Sequence, residues 1–104
     1  MSYDYAPDRA DLAAEVQEYG AAMVLRRGTT DHQIYGLRRQ VTAREADGTT
    51  VKITDQAVLV PAEDLSIVPT TTDKLVDGVA WIIVKVDPIK PGPLALAYTL
   101  YVRK

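Results

Sequence analysis

From Ala21 onward, apolar and polar residues alternate, and this period of two constrains the fold more than any other feature of the chain. Successive side chains of a β-strand point to opposite faces, so the alternation predicts strands with one buried face. β-branched and turn-forming residues also dominate this stretch, as is typical of antiparallel sheets. The pattern is clearest near the end of the sequence, where one face carries Leu94, Leu96, Tyr98, Leu100 and Val102.

Six segments follow this pattern, and we predict that each is a strand. They are Ala21–Arg27, Ile34–Arg44, Thr49–Thr54, Ala57–Val60, Val79–Val86 and Leu94–Arg103. Asp47-Gly48 and Asp77-Gly78 predict hairpin turns, because glycine readily adopts the positive φ that such turns require. Proline donates no hydrogen bond to a sheet, so connections or edges are expected at Pro61, Pro69, Pro88, Pro91 and Pro93. Residues 61–73 are therefore expected to cross irregularly between strands.

One helix is predicted before the strands, over residues 8–19. Leu12, Val16 and Tyr19 recur at helical spacing and form a narrow apolar stripe. Asp8 is expected to cap the first turn, and Gly20 to end the helix in the left-handed conformation. In this interpretation residues 1–7 are an N-terminal arm and residues 8–104 form one domain.

The chain has 104 residues, of which 47% are hydrophobic and 25% charged, as is typical of one globular domain. These elements predict a mainly β fold, a small antiparallel β-barrel (SH3-like or similar, about six strands) with one N-terminal α-helix. The longest apolar run, Val79–Val84, is far shorter than the ~20 residues of a membrane-spanning helix. We therefore expect a soluble protein without membrane contact.

Residue types that support catalysis are sparse. His32 is the only histidine, and it falls in a polar segment, 28–33, that favours a solvated loop over a catalytic base. The chain has no cysteine, and neither Ser2 nor Ser66 lies in a nucleophile elbow. We expect no enzyme activity, no metal and no cofactor, and a hydrolase centred on His32 is the weakest of the hypotheses.

Charge is distributed unevenly along the sequence. Residues 1–20 hold five acids and one base, whereas residues 21–52 hold six bases and three acids. Two interpretations follow: the doublets Arg26-Arg27 and Arg38-Arg39 could form a nucleic-acid groove with Tyr35, or acidic and basic surfaces could meet head to tail in a ring. The candidate contacts with another subunit or a partner are Tyr3, Tyr5, Asp11, Glu15, Arg26, Arg38 and Arg39.

The second half of the sequence contains an ordered set of motifs. A strand ends in Val60-Pro61-Ala62, a turn follows at Asp77-Gly78, and the next strand contains an early aromatic residue, Trp81. The connector Pro91-Gly92-Pro93 then leads to a closing strand that ends in Arg103. In this order, and in its length and preceding helix, the chain resembles phage head-closure proteins, also called stoppers or head-tail joining proteins.

The resemblance implies a structural subunit of a tailed phage or phage-derived particle. Such subunits form a ring at the neck, in contact with the portal-adaptor ring and with a tail terminator or tail tube protein. A hexamer is favoured over a dodecamer. The ring would retain packaged double-stranded DNA without sequence specificity and would offer the tail a docking surface, in the virion and, during assembly, in the host cytoplasm.

Two loops are candidates for the channel of such a ring. Their residues are Thr29, Asp31, His32, Glu45, Asp47 and Gly48. Another neck or tail-end ring protein, such as an adaptor or a tail terminator, is the related alternative. A small nucleic-acid-binding β-barrel is the alternative from a different class.

Overall fold

The structure, a computed structural model, describes residues 6–65, 67–90 and 94–104, with side chains from Arg9 onward except that of Asp64. One helix precedes six strands. The elements are α1 (Ala6–Tyr19), β1 (Ala21–Arg27), β2 (Thr30–Gln40), β3 (Gln56–Pro61), a 3₁₀ turn (Ala62–Asp64), β4 (Lys74–Asp77), β5 (Val79–Ile89) and β6 (Ala97–Arg103).

The six strands close into one antiparallel barrel in the order β1-β2-β3-β6-β5-β4, with β4 paired to β1. The predicted fold class is confirmed: a mainly β barrel of six strands with one N-terminal helix. Closure gives every strand two partners, although β2 pairs with β3 only over Leu37–Gln40.

One predicted strand is wrong, and another was missed. Residues 49–54 form bends and turns, because the carboxylate of Asp47 accepts hydrogen bonds from the backbone N–H groups of Thr49, Thr50 and Val51. Those donors are thereby diverted from a strand ladder. The missing place in the barrel is taken by β4, which turns directly into β5 at Gly78, where φ is +75°. The Asp77-Gly78 hairpin is therefore confirmed, and the Asp47-Gly48 hairpin is not.

The barrel interior holds the main apolar core. Its buried members are Met23, Leu25, Ile34, Val58, Val60, Leu75, Trp81, Ile83, Leu100 and Val102. A bulge interrupts the alternation in β5: Ile83 pairs with Val102, but Lys85, not Val84, pairs with Tyr101. The extra residue reverses which side chains face inward beyond it. Pro88, which was expected in a connection or at an edge, lies within strand β5 and is the register partner of Tyr98.

The outer face of β6 is also buried, which differs from the prediction of one buried face. A second apolar cluster forms there from Val41, Val51, Ala57 and Tyr101. Val41 and Val51 belong to the segment between β2 and β3, residues 41–55, which we call loop 41–55. The loop therefore packs on the outside of the barrel wall.

Helix α1 begins at Ala6, so Asp8 lies in its first turn and does not precede it. Ala13 and Val16 are buried, whereas Tyr19 is 69% exposed and does not belong to the buried stripe. Gly20 does not have a positive φ. A Cβ at Gly20 would lie 2.5 Å from the carbonyl oxygen of Gly36 and 2.6 Å from that of Val16, so glycine is needed for close approach.

The barrel has two ends, which we name for reference. At the Trp81 end, β2 and β6 finish, β3 begins and β4 turns into β5. At the Thr29 end, Gly28 and Thr29 join β1 to β2, and β3 and β5 finish. β2, with 11 residues or about 33 Å of extended chain, runs from the Thr29 end to the Trp81 end.

Candidate assembly surfaces

Loop 41–55 is fastened to the barrel wall at Glu45. The guanidinium of Arg39 donates two hydrogen bonds of 2.6 Å to the Glu45 carboxylate, and the hydroxyl of Tyr101 donates a third, also 2.6 Å. Arg39, Ala57 and Tyr101 are register partners on three adjacent strands. The small side chain of Ala57 lies between the two larger ones, where Glu45 bridges them.

These contacts shift the pKa values of both acids. The hydrogen bonds from Arg39 are the main reason that the pKa of Glu45 lies well below its usual range. Burial, followed by the hydrogen bond to Glu45, raises the pKa of Tyr101 to about 12. The carboxylate is therefore ionised and the phenol protonated across the physiological range.

Two further carboxylates hold loop 41–55. Asp55 is buried, and it accepts two hydrogen bonds from Arg103, at 2.8 and 2.7 Å, and one from the backbone of Lys52. Asp47 holds the opposite side of the loop through the three backbone donors that follow it. The loop is thus a folded unit whose exposed tip consists of residues 47–50.

The candidate channel loops lie at opposite ends of the barrel. Gly28 and Thr29 form a tight turn at the Thr29 end, and Asp31 and His32 belong to β2 instead of a loop. His32 is half-buried and lies opposite Leu25. Glu45, Asp47 and Gly48 lie in loop 41–55, which leaves the barrel at the Trp81 end. The two sets therefore cannot line one narrow point of a channel.

Each arginine of the two doublets pairs with a carboxylate. Arg26 bonds Asp31 and Arg27 bonds Asp73, both at 2.8 Å, at the Thr29 end. Arg38 bonds Asp77 at 2.7 Å and Arg39 bonds Glu45 at 2.6 Å, at the Trp81 end. The doublets are therefore separated along the barrel and neutralised, an arrangement that does not favour a basic groove for nucleic acid.

Other charged groups are exposed and unpaired. Asp11, Glu15 and Glu18 lie on the exposed face of α1, and none of the ion pairs among the described residues includes them. Asp11 and Glu15 share one side of the helix, since residues four apart are neighbours. Arg44 and Lys52, on loop 41–55, are likewise exposed and lack a carboxylate partner in the described part of the chain.

A groove of about 440 Å³ runs across the outer wall beside loop 41–55. Leu37 and Leu59 are register partners on β2 and β3, and Thr99 of β6 is the partner of Leu59. Ile89 of β5 completes the lining together with the arginines at 38 and 39. Leu37 is 38% exposed and Ile89 40%, so this wall groove offers apolar surface that the described residues do not cover.

No family model, curated protein or solved structure matched the chain. No helix among the described residues is long and apolar enough to cross a membrane. The described residues also contain no group of three or more histidine, aspartate or glutamate side chains that could hold a metal ion. Tyr3 and Tyr5, and the Pro91-Gly92-Pro93 connector, lie outside the described residues.

Sequence reasoning missed the wall groove. Its residues come from four strands, and the middle pair, β3 and β6, are neighbours in the barrel but not in the sequence. The only signal was the pair of apolar residues at outward positions, Leu37 and Leu59, each flanked by inward-facing residues. Such a signal becomes interpretable only once the strand register is known.

Proposed function

We propose that this chain is a structural head-closure subunit that assembles with copies of itself into a ring at the neck of a tailed phage or phage-derived particle. In this role it retains packaged DNA and gives the tail a docking surface. A hexamer is the favoured ring. The proposal combines the motif order of the sequence with surfaces that a closed barrel does not need for its own stability.

The wall groove is the observation that carries the proposal. Large apolar side chains left bare on the wall of a finished barrel are typical of surfaces that contact another protein. The same chain carries unpaired carboxylates on α1 and unpaired cations on loop 41–55. A chain with both signs of free charge and an apolar groove is complementary to further copies of itself, and head-to-tail contacts of that kind close into rings.

Loop 41–55 is the better candidate for the channel. Its three anchoring carboxylates hold it as a rigid projection, whereas the turn at Gly28 and Thr29 is too short to narrow a channel. The exposed tip carries Asp47, Gly48 and two threonines, which offer DNA phosphates no cation. DNA would not adhere to such a tip, because phosphate binding depends mainly on lysine and arginine, whereas the exposed Arg44 and Lys52 on the same loop would attract DNA if they faced the channel.

The decisive experiment is assembly with the neighbouring neck proteins. The chain, co-expressed with the portal, adaptor and tail proteins of its own particle, should co-purify with them and appear as a six-fold ring in electron micrographs. Leu37→Glu, which places a charge in the wall groove, should abolish the ring without unfolding the chain. Val68→Glu, at a more exposed apolar position outside the groove, is the control. A chain that stays monomeric beside these partners contradicts the proposal.

A further inference from the structure

The Trp81 end of the barrel contains polar groups that lack partners. Trp81 is only 7% exposed, and its indole N–H has no acceptor among the described residues. The Nε–H of Arg38 is also buried and unpaired within the same described set. Gln56 adds a buried amide oxygen without a partner, and turning that amide over would present a third donor instead. Unpaired buried polar groups are costly, so a cluster of them indicates a missing partner.

Two cations lie against the Trp81 ring. The guanidinium carbon of Arg38 is 4.7 Å from the ring centroid, and the ammonium of Lys104 is 5.1 Å from it. Arg38 is neutralised by Asp77, but Lys104 belongs to none of the ion pairs in the described residues. Among the described residues, Lys104 therefore contacts the indole face without a carboxylate partner.

A cavity of about 330 Å³ opens at this place. It is lined by Thr54, Gln56, Trp81 and Lys104, and the ion pair of Asp55 with Arg103 forms its rim. Lys104 is exposed at the end of β6, so its side chain can swing away from the indole and admit a ligand. We call this cavity the Trp81 mouth.

We propose that the Trp81 mouth binds a carboxylate side chain from the exposed face of α1 of a second copy. Among the groups that line the mouth, the indole N–H of Trp81 is an unpaired donor and Lys104 is a cation without an ion-pair partner in the described residues. The two oxygens of a carboxylate can accept from both. Asp11, Glu15 and Glu18 are carboxylates of the same chain that have no cation of their own. The mouth lies at a barrel end and α1 on the flank, and a contact between two such different surfaces allows a head-to-tail ring.

This inference rests on the self-association in the proposed function, and it assigns the charged part of the contact. It differs from a general attraction between acidic and basic surfaces, because it predicts that one ring contact is made at a single tryptophan. Arg44 and Lys52 on loop 41–55 are the competing cations for the same carboxylates. They have no unpaired buried donor beside them, which is why we assign the carboxylates to the mouth.

The test uses Trp81 as its own reporter, since the chain contains one tryptophan. Wild-type chain at low concentration is titrated with an excess of a Trp81→Phe chain, which lacks tryptophan but keeps the acidic face of α1. The emission of Trp81 should change and saturate. A Trp81→Phe chain that also carries Asp11→Asn, Glu15→Gln and Glu18→Gln should shift the midpoint at least about tenfold, as the loss of charge-assisted hydrogen bonds implies.

A second variant avoids any change to the core. Lys104→Gln in the wild-type chain should weaken self-association in sedimentation by a similar factor. Lys90→Gln, an exposed lysine at the Thr29 end, should leave it unchanged. This pair keeps the test valid even if Trp81→Phe does not fold.

The outcomes separate the two proposals. A wild-type chain that stays monomeric at every concentration and beside its neck partners overturns the proposed function. A chain that associates without any change in Trp81 emission, or whose association is insensitive to Lys104→Gln, overturns the assignment of the mouth alone. The double variant Arg44→Gln, Lys52→Gln could lose association while Lys104→Gln keeps it. That result would show that the α1 carboxylates bind loop 41–55, and it would also overturn the assignment.

Discussion

The hydroxyl of Tyr101 donates a 2.6 Å hydrogen bond to the carboxylate of Glu45, a residue 56 positions away in the sequence. The bond joins the last strand of the barrel to the loop between the second and third strands. Arg39 binds the same carboxylate from the other side. Glu45 is thus one of the three carboxylates that hold loop 41–55, and it is the one that binds two strands of the barrel wall.

The Glu45–Tyr101 bond should appear as a coupling energy in a double-mutant cycle. Tyr101→Phe should lower the free energy of unfolding by about 1–2 kcal/mol, because it leaves the carboxylate with one donor fewer. Glu45→Gln should cost at least as much, since it also unpairs Arg39. Urea unfolding of the two single variants and the double variant should give a coupling of about 1 kcal/mol.

The control is Asp87→Asn, which removes an exposed 3.8 Å ion pair with Lys85 and should change the free energy of unfolding by less than about 0.5 kcal/mol. A coupling near zero would show that the loop is held without this bond.

Stability should fall at acid pH through the carboxylates bound by arginines. Hydrogen bonds from Arg103 and Arg27 lower the pKa values of Asp55 and Asp73, and that from Arg39 lowers the pKa of Glu45. Groups with lowered folded-state pKa values stabilise the fold fully above their unfolded pKa, about 4, and lose that contribution as the pH falls further. Urea midpoints measured downward from neutral pH should therefore stay level and then drop below about pH 4. A drop that is unchanged in Asp55→Asn would contradict the assignment for that residue.

Alkaline pH should act through Tyr101. Its pKa of about 12 lies above the ordinary value of 10.0, so its contribution to stability is complete below pH 10 and is lost as the pH rises toward 12. Ultraviolet titration should show a tyrosine step near pH 12. Tyr101→Phe should remove that late step and flatten the alkaline loss of stability. Tyr35→Phe, on the exposed part of β2, is the matched control.

Gly20 should tolerate neither alanine nor asparagine. A Cβ there meets two backbone oxygens, which cannot yield unless α1 moves away from β2, so each variant should cost about 1–3 kcal/mol. Gly36→Ala should cost less, because its Cβ meets the side chains of Val58 and Met23, which can adjust. Thermal or urea unfolding ranks the variants. Wild-type stability in Gly20→Asn would contradict this explanation. It would favour the left-handed helix end that the sequence predicts, since asparagine adopts that conformation readily.

Local patterns in the sequence were sufficient for much of the fold. The boundaries of β1 agree residue for residue with the prediction, and the alternation over Ala97–Arg103 assigns the correct side chains to the interior. The helix, the Asp77-Gly78 turn and the number of strands also follow from the sequence. These features depend on periodicity and on turn chemistry, which neighbouring residues express on their own.

Most of the remaining features depend on tertiary structure. Asp47 binds backbone groups only two to four residues ahead, but the alternating pattern of residues 49–54 hides that turn, and closure of the barrel recruits β4 in its place. The β5 bulge, the pairing of each doublet arginine with its carboxylate and the separation of the two candidate channel loops follow from strand register. So do the wall groove and the Trp81 mouth. Alternation states which side chains share a face of one strand, but only the packed barrel decides which strands meet, and hence which charges are paired and which surfaces remain free.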